Sequence, residues 1–140
     1  MLSTESSIQT LVSPNIHTSE VLQLIESGTV NGKSVEALKS LTNFSDEAIA
    51  QWLNINVKTF RSYKNSEATL KEDLQEHIIL LIALMKHGID VFENKENFSQ
   101  WLGTANFFIG KKKPVAYLNT ISGIKLIDNR LTAMEYGDNV

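Results

Sequence analysis

The sequence predicts an all-α protein, and three observations carry that expectation. Period-two alternation never runs beyond a few residues, so no half-buried strand is written into the chain. Apolar residues instead recur three and four apart, in segments opened by residue types that cap helices. The longest apolar run, Ile78 to Met85, lies within a helical pattern that extends from Lys71 to His87.

Taken in order, residues 1–17 read as a loose polar arm with a short ordered piece around Ile8 to Val12. Thr18 starts a helix with Val21, Leu24 and Ile25 on one face, and Gly28 stops it. Gly32 breaks the chain, and Ser34 caps a helix carrying Val35, Leu38 and Leu41. Ser45 caps the next, whose apolar side is Ala48, Ile49, Trp52 and Leu53. Asn54 suits a turn, because its amide bonds locally and it tolerates unusual backbone angles. Asn56 caps a helix from Val57 to about Asn65. In the long helix, Leu74, Ile78, Leu81 and Met85 form a stripe that Ile79, Ile82 and Leu84 widen until it nearly encircles the axis. Such a helix is buried, between subdomains or against a second subunit. The second option makes Ile78, Leu81, Ile82 and Met85 a dimerisation face. Gly88 ends this helix or bends it.

Beyond it, Phe98, Trp101 and Leu102 share a helical face closed by Gly103. Phe107, Phe108 and Ile109 read as too apolar for water, and Trp101 and Phe107 are expected in the core. Lys111, Lys112 and Lys113 form a wet loop tip, the commoner fate of adjacent lysines, or an anion-binding loop. Pro114 opens a short helix, where its missing N–H costs nothing. Thr120 or Ser122 caps a last helix bearing Ile124, Ile127, Leu131 and Met134.

Composition bounds the function. The 140 residues carry a formal charge of -3, with 42% hydrophobic and 21% charged residues. That supports a real core and argues against wholesale coating by nucleic acid, while leaving room for a local basic surface. Cysteine is absent, which removes disulfides, thiolate catalysis and cysteine-ligated zinc, and fits a cytoplasmic home. Met1 is followed by Ser3, Thr4 and Glu5, unlike a signal peptide. No apolar run approaches the ~20 residues of a membrane span.

Two constellations stand out. Asp46 to Lys64 reads as helix, turn, helix, with Ala48 small at the crossing, Ile55 locking the turn and Phe60 anchoring the second helix. Lys58, Thr59, Arg61, Ser62 and Lys64 are left as outward candidates for DNA. The lysines suit phosphate, and the planar fork of Arg61 suits a base edge. The plainer alternative is an ordinary helix pair with a solvated basic face. The second constellation is the aromatic and lysine-rich stretch from Phe98 onward. No enzyme motif emerges. His77 and His87 lack second ligands at zinc spacing, no serine sits in a nucleophile turn, and His87 reads as serving a helix dipole. The expectation is a protein that is not an enzyme and holds no cofactor or metal.

The carboxyl-terminal stretch resembles the toxin-binding domain of Xre/MbcA/ParS-type antitoxins. Phe98, Trp101-Leu102, Thr104 and Asn106 match that family's opening motif. Ile109-Gly110, Pro114, Leu118, Thr120, Gly123 and the closing Glu135-Tyr136-Gly137 match the rest. Asp46 to Lys64 is similar to the family's Xre-like helix-turn-helix. The chain departs at Ala105, where proline is usual, and at Lys111, which replaces a second glycine. It departs again at Asn119, where aspartate is usual, and at Asp138, where an apolar residue is common. The resemblance implies a bacterial type II antitoxin that covers the active site of a RES-domain, NAD-consuming toxin, forms a homodimer and represses its own operon. Lys111, Lys112, Lys113, Glu135, Tyr136 and Gly137 are then the toxin-facing residues. The implied organisation is an arm (1–17), a DNA-binding helix-turn-helix region (18–70), a linking and dimerisation helix (71–90) and a toxin-binding domain (91–140). The alternative is a helix-turn-helix regulator with no toxin, whose carboxyl-terminal module dimerises.

Overall fold

The computed structural model describes residues 4–137, with side chains from Ile8 onward; Met1 to Ser3 and Asp138 to Val140 lie outside the described residues. Among the described residues the regular structure is eight α-helices and two 3-10 helices, with no strand beyond an isolated bridge between Asn31 and Thr69. The fold is all-α. The α-helices are α1 (Thr4–Leu11), α2 (Thr18–Glu26), α3 (Ser34–Ser40), α4 (Asp46–Trp52), α5 (Val57–Tyr63), α6 (Glu72–Phe92), α7 (Lys95–Leu102) and α8 (Ile121–Glu135). The 3-10 helices are Phe107–Ile109 and Pro114–Tyr117.

The central element is α6, and α2, α3, α7 and α8 pack around it. Ile78, Leu81, Ile82 and Met85 are all 0% exposed, and each joins the one continuous core. These four side chains are interior to a single copy of the chain. The dimerisation face expected of them is therefore corrected: an almost fully apolar helix is satisfied here by its own neighbours. Burying each such side chain contributes roughly 1.5–3 kcal/mol.

Helix α6 does not stop at Gly88. It continues to Phe92 and ends at Glu93, which takes a left-handed conformation (φ 77°). Gly88 is needed for packing instead, because any side chain there would overlap the Phe98 ring of α7. Phe98 stacks with Phe92 (5.8 Å) and Trp101 (6.0 Å), which joins α7 to the end of α6.

The amino-terminal stretch is not a loose arm over the described residues. Helix α1 lies on α3, and Ile8 and Val12 are both 0% exposed. Lys86 of α6 donates through Nζ to the carbonyls of Gln9 (2.5 Å) and Val12 (2.6 Å). A cation on the last carbonyls of a helix satisfies acceptors that have no intrahelical donor. Neither this tether nor the α3 surface is visible in the local polarity of residues 1–17.

Local capping follows the sequence closely. Ser45, Asn56 and Thr120 accept backbone N–H groups of Ala48, Lys58 and Gly123 through their side chains. Pro114 opens its 3-10 helix, and Asn54 turns the chain with φ 58°. Two polar contacts join the α4–α5 turn and α6 to the segment before α8. Asn54 Nδ2 donates to the Asn119 carbonyl (2.9 Å), and His77 Nε2 donates to the Leu118 carbonyl (2.9 Å).

Candidate functional site

Helices α4 and α5 are short and joined by a tight turn. The Ile55 N–H donates to the Ala50 carbonyl (3.0 Å), which closes the turn, and Phe60 is fully buried beneath α5. Ala50, at 2% exposure, is the deeply buried small residue of α4, while Ala48 is only half-buried.

The outward residues of α5 divide into two groups. Lys58 and Ser62 are exposed and Thr59 is half-buried, and among the described residues Lys58 forms no ion pair. Arg61 and Lys64 are engaged within the chain. Arg61 bonds Asp46 (3.2 Å) and Glu47, while Lys64 reaches Asp46 (3.3 Å) and Glu36 (3.7 Å). Lys39 completes the cluster on Asp46 at 2.8 Å. Lys39, Arg61 and Lys64 hold the Asp46 carboxyl down to about 2, against the desolvation that raises it. Three cations thus face three carboxylates on α3, α4 and α5, so the basic face read along α5 is charge-balanced by residues distant in sequence. Arg61 and Lys64 thus have carboxylate partners within the chain that compete with any phosphate.

The second surface is built on the α6–α8 pair and the loop before α8. His87, whose side chain is 10% exposed, points both ring nitrogens at carboxylates of α8: Nδ1 at Asp128 (2.6 Å) and Nε2 at Glu135 (2.6 Å). A neutral imidazole has one N–H and can serve only one of them; the imidazolium donates to both. The Asp128 contact, aided by Glu135, raises the His87 pKa from 6.5 to about 9 against the cost of burial. His87 is therefore a clamp within α6 and not the helix-end residue its local sequence suggested. Glu135 is turned toward His87, while Tyr136 just beyond it is 87% exposed and Gly137 leaves the helix at φ 99°.

The loop from Asn106 to Lys113 is tightly braced. Asn106 is 7% exposed, and its side chain accepts the Phe108 N–H (2.9 Å). Its carbonyl accepts the Lys111 N–H (2.8 Å), and its N–H donates to the Lys112 carbonyl (3.0 Å). Tyr117 donates its hydroxyl to the Ile109 carbonyl (2.8 Å). Ile109 and Trp101 are buried, but Phe107 is 75% exposed and Phe108 51%. The expectation of a core Phe107 is thus corrected, because the brace on Asn106 turns both rings outward while Ile109 takes the inward position. Lys111 to Lys113 are all exposed. The structure places these lysines and Tyr136-Gly137 on the surface, and Glu135 partly in an internal ion pair. Sequence reasoning missed Asp128 and the His87 clamp, because a pair 41 residues apart leaves no periodic trace.

Gly123 fixes how this loop meets α8, since a side chain there would overlap the Tyr117 carbonyl. No helix among the described residues is long and apolar enough to cross a membrane. No curated protein matches the chain in sequence. Residues 87–137, which run from the clamp histidine to the exposed Tyr136-Gly137 end, match the profile of the antitoxin Xre/MbcA/ParS C-terminal toxin-binding domain. Over residues 87–137 the chain is therefore similar to the toxin-binding domains of antitoxins of the Xre/MbcA/ParS type.

Proposed function

We propose that this chain is the antitoxin of a type II pair, that its partner is a RES-domain toxin that consumes NAD, and that it neutralises by covering the toxin's active site. The observation that carries the reading is the toxin-binding match over residues 87–137. The surface geometry supports it. Helix α8 is clamped at Asp128 and Glu135 and then presents Tyr136, 87% exposed, at its end. An aromatic side chain held on a rigid helix end is an efficient anchor for a partner's pocket. Lys111 to Lys113, exposed on the loop before α8, also face the toxin in this reading. NAD is the toxin's substrate, and the antitoxin itself needs no catalytic group. The test is an assay of NAD consumption by the protein that the adjacent gene encodes. The full chain suppresses consumption, and a chain ending at Met134 suppresses it less. Equal suppression by the truncated chain removes the tail from the contact. No suppression by the full chain overturns the antitoxin reading.

A second role, repression of its own operon in the cytoplasm, is supported by the tight turn joining the short helices α4 and α5 and by exposed Lys58 and Ser62. Lys58 contacts phosphate directly in this reading. Arg61 and Lys64 exchange their carboxylate partners for DNA, which lowers the affinity each contributes. A homodimer would set two α5 helices on two half-sites. It would form through a face other than the interior stripe of α6. The check is gel retardation of the DNA upstream of the gene. Lys58→Glu, at an exposed position without an ion pair, abolishes retardation if α5 reads DNA. Unchanged retardation moves DNA contact elsewhere. A regulator without a toxin would retard DNA and leave NAD consumption untouched.

A further inference from the structure

The braced loop carries a feature that core packing does not require. Phe107 and Phe108 meet edge to face at 5.8 Å, and cations flank both rings. The Lys111 ammonium lies 5.8 Å from the Phe107 ring centre, and the Arg130 guanidinium of α8 lies 4.1 Å from that of Phe108. Lys112 stands 5.9 Å from the Tyr117 ring. Leu126, one turn before Arg130 on α8, is 42% exposed and adds apolar surface. Lys111 is also held in the left-handed region at φ 63°, which costs any residue with a side chain more than it costs glycine. From Asn97 to Ile127 the chain contains four lysines and no aspartate or glutamate, although its overall charge is -3. Rigid exposed aromatic rings within a cationic field are complementary to an apolar pocket rimmed by carboxylates.

We propose that Phe107, Phe108 and Lys111 to Lys113, with Arg130, form a docking surface for an acidic face of the partner toxin, with Phe107 entering an apolar pocket bordered by aspartates or glutamates. The proposal rests on the antitoxin reading for the identity of the partner. It assigns a contact distinct from the Tyr136 tail. A second copy of this chain or an anionic lipid surface would suit similar chemistry, and the test separates them.

The experiment measures affinity between the full chain and the purified protein encoded by the adjacent gene, at about 50 and about 500 mM salt. Thermal melting of each variant is recorded alongside. Phe107→Ser is expected to weaken binding about tenfold or more at unchanged melting temperature, as loss of a buried aromatic anchor does. The pair Lys112→Glu and Lys113→Glu weakens binding at low salt and flattens its salt dependence. Lys111→Gly relieves the backbone and melts higher, yet binds more weakly. That pairing of opposite effects is not produced by a merely structural role. Affinity of all variants within about twofold of the parent overturns the proposal while the antitoxin reading stands. So does a result in which the variants lose only self-association, or only binding to phosphatidylserine vesicles. Absence of any complex with the parent chain overturns both readings together.

Discussion

The His87 clamp makes a prediction whose size can be worked from the structure. Its pKa rises from 6.5 to about 9 on folding, chiefly through Asp128 and then Glu135. The folded state therefore binds the proton more tightly than the unfolded one. The resulting stability is fully present below about pH 6.5 and is lost as pH rises through about 9. At about 1.4 kcal/mol per unit, the full shift amounts to roughly 3 kcal/mol. The two carboxylate side chains are 40% and 47% exposed, so solvent screening reduces this to about 1–2 kcal/mol. For a chain of this size that is a fall of roughly 3–8 °C in melting temperature. The assay is thermal unfolding followed by circular dichroism from pH 6 to pH 10, on the parent and on His87→Gln. Glutamine keeps one donor but does not titrate. Lysine and tyrosine titration affects both proteins alike, so the difference between their curves isolates His87. The curves should converge as pH rises through about 9. Parallel curves across the whole range would refute the clamp.

Further expectations concern the packing and the α4–α5 cluster. Asp46, held at about 2 by Lys39, Arg61 and Lys64, contributes about 1 kcal/mol above pH 4 after solvent screening, with Arg61 half exposed, and this is lost as pH falls through about 2. In Asp46→Asn the acid limb of a urea-denaturation series should be shallower by that amount, and an unchanged limb would count against the cluster. Ile82→Ala should cost about 2–5 kcal/mol in chemical denaturation without altering the mass seen by light scattering. Full stability with a drop in mass would return Ile82 to a subunit interface. Gly88→Ala should destabilise strongly, and adding Phe98→Leu should recover part of the loss; additive losses would sink the packing argument for Gly88.

Much of this architecture was legible in the residues. The caps at Ser45, Asn56 and Thr120, the turn at Asn54 and the opening role of Pro114 are local devices, each satisfied within a few residues of itself. The family motif was legible for a similar reason, since many of its members are turn and packing residues with narrow backbone demands. What escaped depends on what lies opposite. A helix apolar on most faces looks the same whether its own chain or a second copy covers it, and here α2, α3, α7 and α8 cover α6. Gly88 looked like a terminator because the need for the Phe98 ring to approach is a tertiary fact. Arg61 and Lys64 looked free because Glu36, Asp46 and Glu47 lie 14 or more residues earlier. Phe107 looked internal on polarity alone, whereas the bonds on Asn106 decide which way the loop turns.

The central claim is that residues 87–137 hold a toxin. It is tested most directly by co-expressing the tagged chain with its neighbouring gene and weighing what is recovered. The account predicts a stoichiometric complex with a small RES-domain enzyme that is inactive on NAD while bound. Recovery of this chain alone, beside an enzyme that remains free and active, would contradict it.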